Sequence, residues 1–177
     1  MKAHLRLGFY QLGIYLSLLS IIFNSNKLHF MKEIEEKAVH SFYNGMNCAQ
    51  SVVTAYADYL KFDPDMALAV SNGFGGGMGK MQKTCGAVTG SFMVLGIYNS
   101  KKHPGNIDAR NATNEMIQKF TANFTALYDS LDCKALLNCD FTTQEGEKEF
   151  LDLDLKKNIC SKCITDSIKL IEVLTEE

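Results

Sequence analysis

Residues 108–131 have the sequence DARNATNEMIQKFTANFTALYDSL, the longest regular pattern in the chain. Its large apolar side chains recur at alternating intervals of three and four residues, at Ile117, Phe120, Phe124, Leu127 and Leu131. This spacing places them on one face of an α-helix, while polar side chains occupy the other faces. The segment therefore predicts a long amphipathic helix that packs against other helices.

The same helical periodicity appears on both sides of this segment, and strand patterns are nearly absent. The predicted helices, in chain order, are 31–44, closed by Gly45; Cys48 to about Leu60, capped by Asn47; Pro64 to Asn72; Cys85 to about Tyr98, capped by Thr84; Asp108 to Leu131; Cys133 to Leu137; a short helix starting at Thr142 or Thr143; and a last helix starting at Cys160. We expect an all-α fold, a single-domain irregular helical bundle of about seven helices, with an apolar N-terminal helix outside the domain.

Composition limits the classes of protein to consider. The 177 residues are 46% hydrophobic and include only 2 prolines, which excludes disordered, low-complexity and collagen-like chains. The 18 basic and 20 acidic residues give a net charge of −2, so the chain lacks the basic character of a nucleic-acid-binding protein.

The first 30 residues differ from the rest. They contain three basic residues and no acidic one, and the stretch from Leu7 to Phe23 is uncharged. Three interpretations stay open: translation that starts at Met31, a membrane anchor at 7–23, and a signal-like segment. We expect an extension at 1–30 and a helical domain at 31–177. We expect a cytoplasmic location, with a membrane-anchored protein as the alternative and membrane contact only if 1–30 is translated and retained.

Four of the six cysteines, Cys48, Cys85, Cys133 and Cys160, fall in the first turn of predicted helices. The free N–H groups and the dipole of a helix N-terminus favour the thiolate, which is the form that exchanges disulfides and ligates metals. We expect Cys48 and Cys85 to share a site, and we expect Cys85 to be the first thiol with a lowered pKa. The alternatives are cysteines that pack as small apolar side chains and structural disulfides.

Cys160 and Cys163 form a CxxC pair. A thioredoxin motif needs a βαβ context, a c-type haem attachment needs a histidine at the position of Ile164, and a zinc ribbon needs two such pairs. None of these requirements is met. The remaining interpretations are dithiol chemistry and a metal or cluster held by cysteines from different helices.

A glycine-rich loop precedes Cys85. Its sequence GFGGGMG at 73–79 lacks the frame of a phosphate-binding loop, and no strand precedes it. The spacing of Gly86 and Gly90 favours close packing of another helix. As candidate cofactor-binding residues, Gly75, Gly76, Gly77 and Gly86 would leave room and N–H donors around a thiolate or cluster sulfur.

Together, these motifs resemble a bacterial and archaeal family of redox-active proteins, named C_GCAxxG_C_C after its cysteine pattern. The resemblance covers about 31–174 and is carried by Asn47-Cys48-Ala49-Gln50-Ser51, the glycine loop, Thr84-Cys85-Gly86-Ala87-Val88-Thr89-Gly90, Cys133 with Leu136-Leu137, and Cys160. It implies that Cys48, Cys85, Cys133 and Cys160 are the signature cysteines, as redox residues or metal ligands. Cys139 and Cys163 are secondary candidates outside that pattern. Some relatives carry the domain beside haem or iron–sulfur centres.

The residues and the resemblance lead to one principal hypothesis and two alternatives. The principal hypothesis is a redox-active or electron-transfer protein whose cysteines cycle between dithiol and disulfide, or ligate an iron–sulfur cluster or other thiolate-bound metal. The alternatives are a non-enzymatic zinc-binding module and a helical membrane-associated interaction protein. We expect a redox partner protein and no nucleic acid, and homo-oligomerisation stays open.

Overall fold

The computed structural model describes His29 and residues 31–176, and within these residues the protein is helical. The helices are α1 (31–43), α2 (Cys48–Ala55), α3 (Ala57–Leu60), α4 (Pro64–Ser71), α5 (Gly86–Lys102), α6 (Asn106–Tyr128), α7 (Cys133–Leu137), α8 (Gln144–Asp152) and α9 (Ser161–Glu176). A 3₁₀ turn covers Asn72–Phe74, and a π-helical turn covers Lys156–Cys160. The described residues contain no strand, and their one β-bridge joins Thr84 and Asp132. The expected all-α fold is confirmed.

The chain divides into two units, Met1–Glu33 and Ile34–Glu177. The apolar stretch from Leu7 to Phe23 lies outside the described residues. Within the described part of the chain, none of the helices is both long enough and apolar enough to cross a membrane.

Four helices form the centre of the second unit. Helix α5 packs most extensively against α2 and α6, and α9 packs against both α5 and α6. Their shared core consists of fully buried apolar side chains, among them Val52, Val88, Phe120, Phe124 and Ile164. Burial of such side chains is the main stabilising contribution to a fold of this kind.

Gly86 and Gly90 allow α2 and α5 to approach each other closely. A Cβ atom on Gly86 would lie 2.9 Å from the Phe74 carbonyl oxygen and 3.0 Å from the Cys48 Cβ. A Cβ on Gly90 would lie 3.0 Å from the Ala49 carbonyl oxygen. The packing interpretation of this glycine spacing is confirmed, and it places the start of α5 against the start of α2.

Four details of the predicted helices are wrong. Helix α6 ends at Tyr128 and not at Leu131, because Asp129 adopts a left-handed conformation with φ 58°, and Leu127 is 59% exposed. The cap of α5 is Cys85 and not Thr84. The predicted helix from Cys48 to Leu60 is interrupted at Tyr56, which separates α2 from α3. Cys160 does not open the last helix, because the π-helical turn precedes α9 without a break.

Candidate functional site

Cys48 is fixed at the first position of α2 by a capping box. The Asn47 side chain accepts a hydrogen bond from the Gln50 N–H at 3.0 Å, and the Gln50 side chain accepts one from the Asn47 N–H at 3.1 Å. This reciprocal arrangement satisfies two of the free N–H groups at the start of a helix. The Asn47 side chain also donates to the Asn72 carbonyl oxygen at 2.9 Å, which ties α2 to the beginning of the glycine loop.

Backbone pairing brings Cys85 and Cys133 together. The Cys85 N–H donates to the Leu131 carbonyl oxygen at 2.8 Å, and the Cys133 N–H donates to the Lys83 carbonyl oxygen at 2.7 Å. These bonds flank the bridge between Thr84 and Asp132. Cys85 is the N-cap residue of α5, and Cys133 is the first residue of α7. The expected helix-start placement therefore holds for Cys48, Cys85 and Cys133, whereas Cys160 lacks it.

Cys160 and Cys163 lie on either side of a change in helical geometry. Cys160 is the last residue of the π-helical turn, and Cys163 lies in the first turn of α9. Short π-helical turns within helices occur frequently at functional sites.

The structure brings Cys48, Cys85, Cys160 and Cys163 together as two interacting pairs from different helices. The Cys48 side chain interacts with Cys160, and the Cys163 side chain interacts with Cys85. The pairs are neighbours, because Cys48 also interacts electrostatically with both Cys85 and Cys163. The two residues of the CxxC motif therefore belong to different pairs.

Cys85 is the thiol of this group with a lowered pKa. The main cause is the hydrogen bond from Cys163, and the backbone N–H groups of Ala87 and Val88 in the first turn of α5 add to it. Burial by itself would raise the pKa of Cys85, but this effect is smaller than the combined lowering. The expectation for Cys85 therefore agrees in direction, although its main cause is a second thiol and not the helix terminus.

The neighbouring thiols hold their protons more tightly. The hydrogen bond to Cys160 raises the pKa of Cys48, and burial adds to this effect. The hydrogen bond to Cys85 raises the pKa of Cys163, again with burial as the second cause. Burial is the main cause that raises the pKa of Cys133, with smaller contributions from Cys85 and Cys48. The thiol with the lowered pKa, Cys85, therefore has three neighbours whose pKa values are raised.

A cavity of about 410 Å³ opens onto this group, and Cys48, Cys133 and Cys160 are part of its wall. Cys85 and Cys163 are not among the lining residues. The remaining wall is mainly apolar and glycine, with two cationic side chains and one carboxylate: Phe42, Leu137, Phe141, Phe150, Gly75, Gly76, Gly79, Asn47, Asn72, Lys80, Lys156 and Glu147. Small molecules bind in cavities of about this size.

The glycine loop forms one side of the cavity with an unusual backbone. Five consecutive residues at 76–80 have positive φ angles between 60° and 67°, and two of them, Met78 and Lys80, are not glycine. Positive φ costs a non-glycine residue about 1–2 kcal/mol. A Cβ on Gly77 would lie 2.7 Å from the Cys133 Cβ, so this glycine allows the loop to pass directly over Cys133.

The candidate cofactor-binding glycines have different surroundings. Gly75 and Gly76 line the cavity. Gly77 and Gly86 instead pack against Cys133 and Cys48. A role of these four glycines in binding a cofactor stays a prediction.

Cys139 lies outside the two pairs. It is buried in a small apolar cluster with Cys133, Leu137 and Leu155. Burial is the main cause that raises its pKa, followed by the nearby carboxylates of Glu149 and Asp140. This thiol has the features of a packing residue.

Tyr128 and Asp166 lie next to the inner pair. The Tyr128 hydroxyl donates to Asp166 Oδ2 at 2.6 Å and also interacts with Cys163. Burial and the Asp166 carboxylate raise the pKa of Tyr128, so the hydroxyl keeps its proton as a donor. Sequence analysis missed these two residues, because nothing in the sequence connects them.

The thiols are also the candidate ligands of a metal ion or cluster. Among His29 and residues 31–176, no three side chains of cysteine, histidine, aspartate or glutamate are placed to hold one metal ion. Binding of a thiolate-held metal or cluster by Cys48, Cys85, Cys133 and Cys160 stays a prediction.

Sequence analysis underestimated Cys163. The CxxC spacing is the available signal, but the family pattern contains a single cysteine here and therefore makes Cys163 only a secondary candidate. In the structure Cys163 is 1% exposed and is the residue that most strongly activates Cys85.

Comparison with known proteins identifies one family. Residues 46–174 match the family described as "Putative redox-active protein (C_GCAxxG_C_C)", and this range includes all six cysteines. No curated protein and no solved structure is similar enough to count as a match. The match covers more than half of the chain and agrees with the cysteine and glycine motifs that build the site, so the chain belongs to the C_GCAxxG_C_C family of redox-active proteins.

Proposed function

We propose that this protein is a thiol–disulfide redox protein whose working couple is Cys48 and Cys160. The observation that carries the proposal is that both thiols line the cavity and that their side chains interact with each other. Each is half-buried, whereas Cys85 and Cys163 are buried. A substrate that enters the cavity therefore meets this pair first.

The two sulfurs take different roles in this proposal. The pKa of Cys48 is raised, so its thiol keeps its proton, and we assign the attack to Cys160, which also lines the cavity. Disulfide exchange proceeds by attack of a thiolate on a disulfide sulfur through a mixed disulfide. Cys160 would attack the substrate disulfide and release one substrate thiolate. Cys48 would then attack the Cys160 sulfur and release the second, while its proton passes to a departing thiolate.

The cavity indicates the class of substrate. Its volume of about 410 Å³ accommodates a small-molecule disulfide, or a single disulfide-bearing loop of a partner protein. Lys156 lies at the wall, with its Nζ 4.9 Å from the centre of the Phe42 ring. Two lysines and three phenylalanines in the wall suit an organic substrate that carries a negative charge.

The experiment is a redox titration of the full chain in buffers of reduced and oxidised glutathione, with free thiols counted by mass after acid quenching and alkylation. Peptide mass spectrometry then identifies the linked cysteines; we expect a reversible disulfide between Cys48 and Cys160, and we expect the oxidation of either partner in that couple to be lost in Cys48→Ser and in Cys160→Ser. Cys139→Ser is the matched control and should titrate as the unmodified chain does.

The proposal is wrong if the disulfides that form reversibly never include one between Cys48 and Cys160. It is equally wrong if no thiol pair oxidises reversibly at any buffer ratio. Unfolding by urea under reducing conditions should show that each variant is folded.

A further inference from the structure

The pair of Cys85 and Cys163 has the chemistry of a redox couple but no direct access to the cavity. The two residues are 6% and 1% exposed, and neither is among the lining residues. Their thiols interact with each other. Cys48 of the outer pair lies near both, because it interacts electrostatically with each of them.

The packing of the helices supports this proximity. The start of α5, which carries Cys85, lies directly on the start of α2, which carries Cys48, because Gly86 leaves no Cβ between them. Helix α9 packs against both α2 and α5. Cys163 in its first turn belongs to the inner pair, and Cys160 in the π-helical turn before it belongs to the outer pair. The two pairs are therefore held next to each other by α2, α5 and the start of α9.

We propose that Cys85 and Cys163 form a second, internal couple, which receives the disulfide from Cys48 and Cys160 by intramolecular exchange. This inference rests on the proposed function, since the outer pair must first be oxidised by a substrate disulfide. It makes the protein a relay in which the inner pair stores two oxidising equivalents out of contact with the cavity.

The exchange is balanced without a further reactant. The Cys85 thiolate attacks the Cys48 sulfur, the bond between Cys48 and Cys160 breaks, and Cys160 leaves as a thiolate. Cys163 then attacks the Cys85 sulfur of the mixed disulfide, and Cys48 leaves. The bond between Cys85 and Cys163 forms, and the outer pair gains the two electrons that the inner pair loses.

The proton also stays within the group. The inner pair starts with one thiolate and one thiol, and the outer pair ends with one thiolate and one thiol. The proton that Cys163 gives up passes to Cys48, the thiol of the outer pair whose pKa is raised. Because net charge is conserved, the transfer avoids placing an additional charge in a buried site.

The test follows the order in which the two disulfides form. Fully reduced protein receives one equivalent of oxidised glutathione and is quenched with acid over a time course; peptide mass spectrometry then identifies the disulfides. We expect the bond between Cys48 and Cys160 first and the bond between Cys85 and Cys163 later. In Cys163→Ser the outer disulfide should accumulate and persist.

The decisive variant is Cys160→Ser, which removes the outer couple but leaves the inner pair intact. We expect the inner disulfide to form at least about tenfold more slowly there than in the unmodified chain, because exchange needs an accessible sulfur. Cys139→Ser should oxidise at the unmodified rate. Reduced Cys163→Ser must unfold cooperatively in urea, and Cys163→Ala provides a second variant if it does not.

The outcomes separate the relay from the proposed function. If the outer disulfide forms and the inner one never appears, the relay is refuted and the proposed function stands. An inner disulfide that forms equally fast in Cys160→Ser also refutes the relay. If the outer disulfide does not form at all in the unmodified chain, the proposed function fails as well.

Discussion

Replacement of Gly86 by alanine tests the helix approach that brings Cys48 to Cys85. The new Cβ would lie 2.9 Å from the Phe74 carbonyl oxygen, 3.0 Å from the Cys48 Cβ and 3.1 Å from the Ala49 nitrogen. Two of these neighbours are backbone atoms, which cannot rotate away. Overpacking of this kind costs about 1–3 kcal/mol. The higher helix propensity of alanine offsets at most about 1 kcal/mol of this cost.

We therefore expect Gly86→Ala to lower the free energy of unfolding by about 1–2 kcal/mol. In a chain of this length this corresponds to a fall in Tm of about 2–8 °C. The measurement is urea unfolding under reducing conditions, followed by far-UV circular dichroism, with the change assigned to stability only if the m-value is constant.

Gly96→Ala is the matched control, because Gly96 lies in the same helix and a Cβ there would meet nothing within 4 Å. It should stabilise the protein by about 0.5–1 kcal/mol. If Gly86→Ala proves as stable as Gly96→Ala, α2 and α5 do not approach as described, and the juxtaposition of Cys48 and Cys85 fails with them.

Three further predictions address the thiols, the loop and the domain boundary. Cys163→Ala removes the main cause of the lowered pKa of Cys85, so the pH of half-maximal alkylation at Cys85 should rise; Cys163→Ser, which keeps a hydroxyl donor, should raise it less. The rate is measured by peptide mass spectrometry across pH, and an unchanged profile for the alanine variant would contradict this cause. Met78→Gly relieves a φ of 62° and should stabilise the chain by about 0.5–1 kcal/mol. The control Met81→Gly, at a neighbouring methionine without positive φ, should not stabilise it, and equal effects in urea unfolding would disprove the strain. A chain that starts at Met31 should unfold cooperatively on heating, because the apolar faces from there onward pack on one another; a gradual, non-cooperative transition would show that the domain needs 1–30.

Much of the fold is predictable because its determinants are local. The spacing of Phe120 and Phe124 predicts α6, and both side chains are fully buried. The Asp63-Pro64 start signal predicts α4, since Asp63 accepts from the Asp65 N–H and Pro64 occupies the first helical position. Asn47 is predicted as a cap for the same reason. Each of these signals acts within one or two helical turns.

The pairing of the cysteines is not predictable in this way, because it depends on helix packing and on a local irregularity. The π-helical turn at 156–160 gives Cys160 a different orientation from the one it would have in a regular α-helix. No residue in that stretch predicts such a turn from the sequence. Tyr128 and Asp166 are separated by 38 residues and meet only when α6 packs against α9. The positive φ angles of Met78 and Lys80 are equally hard to predict from the sequence, since residues other than glycine rarely adopt positive φ.

Each cysteine of the CxxC motif pairs with a cysteine from another helix, Cys160 with Cys48 and Cys163 with Cys85, and the two do not pair with each other. The most direct test of this pairing is the disulfide connectivity of the fully oxidised chain, determined by proteolysis without reduction and mass spectrometry of the linked peptides. The structure predicts links between Cys48 and Cys160 and between Cys85 and Cys163. A link between Cys160 and Cys163, with Cys48 and Cys85 left as free thiols, would contradict the account.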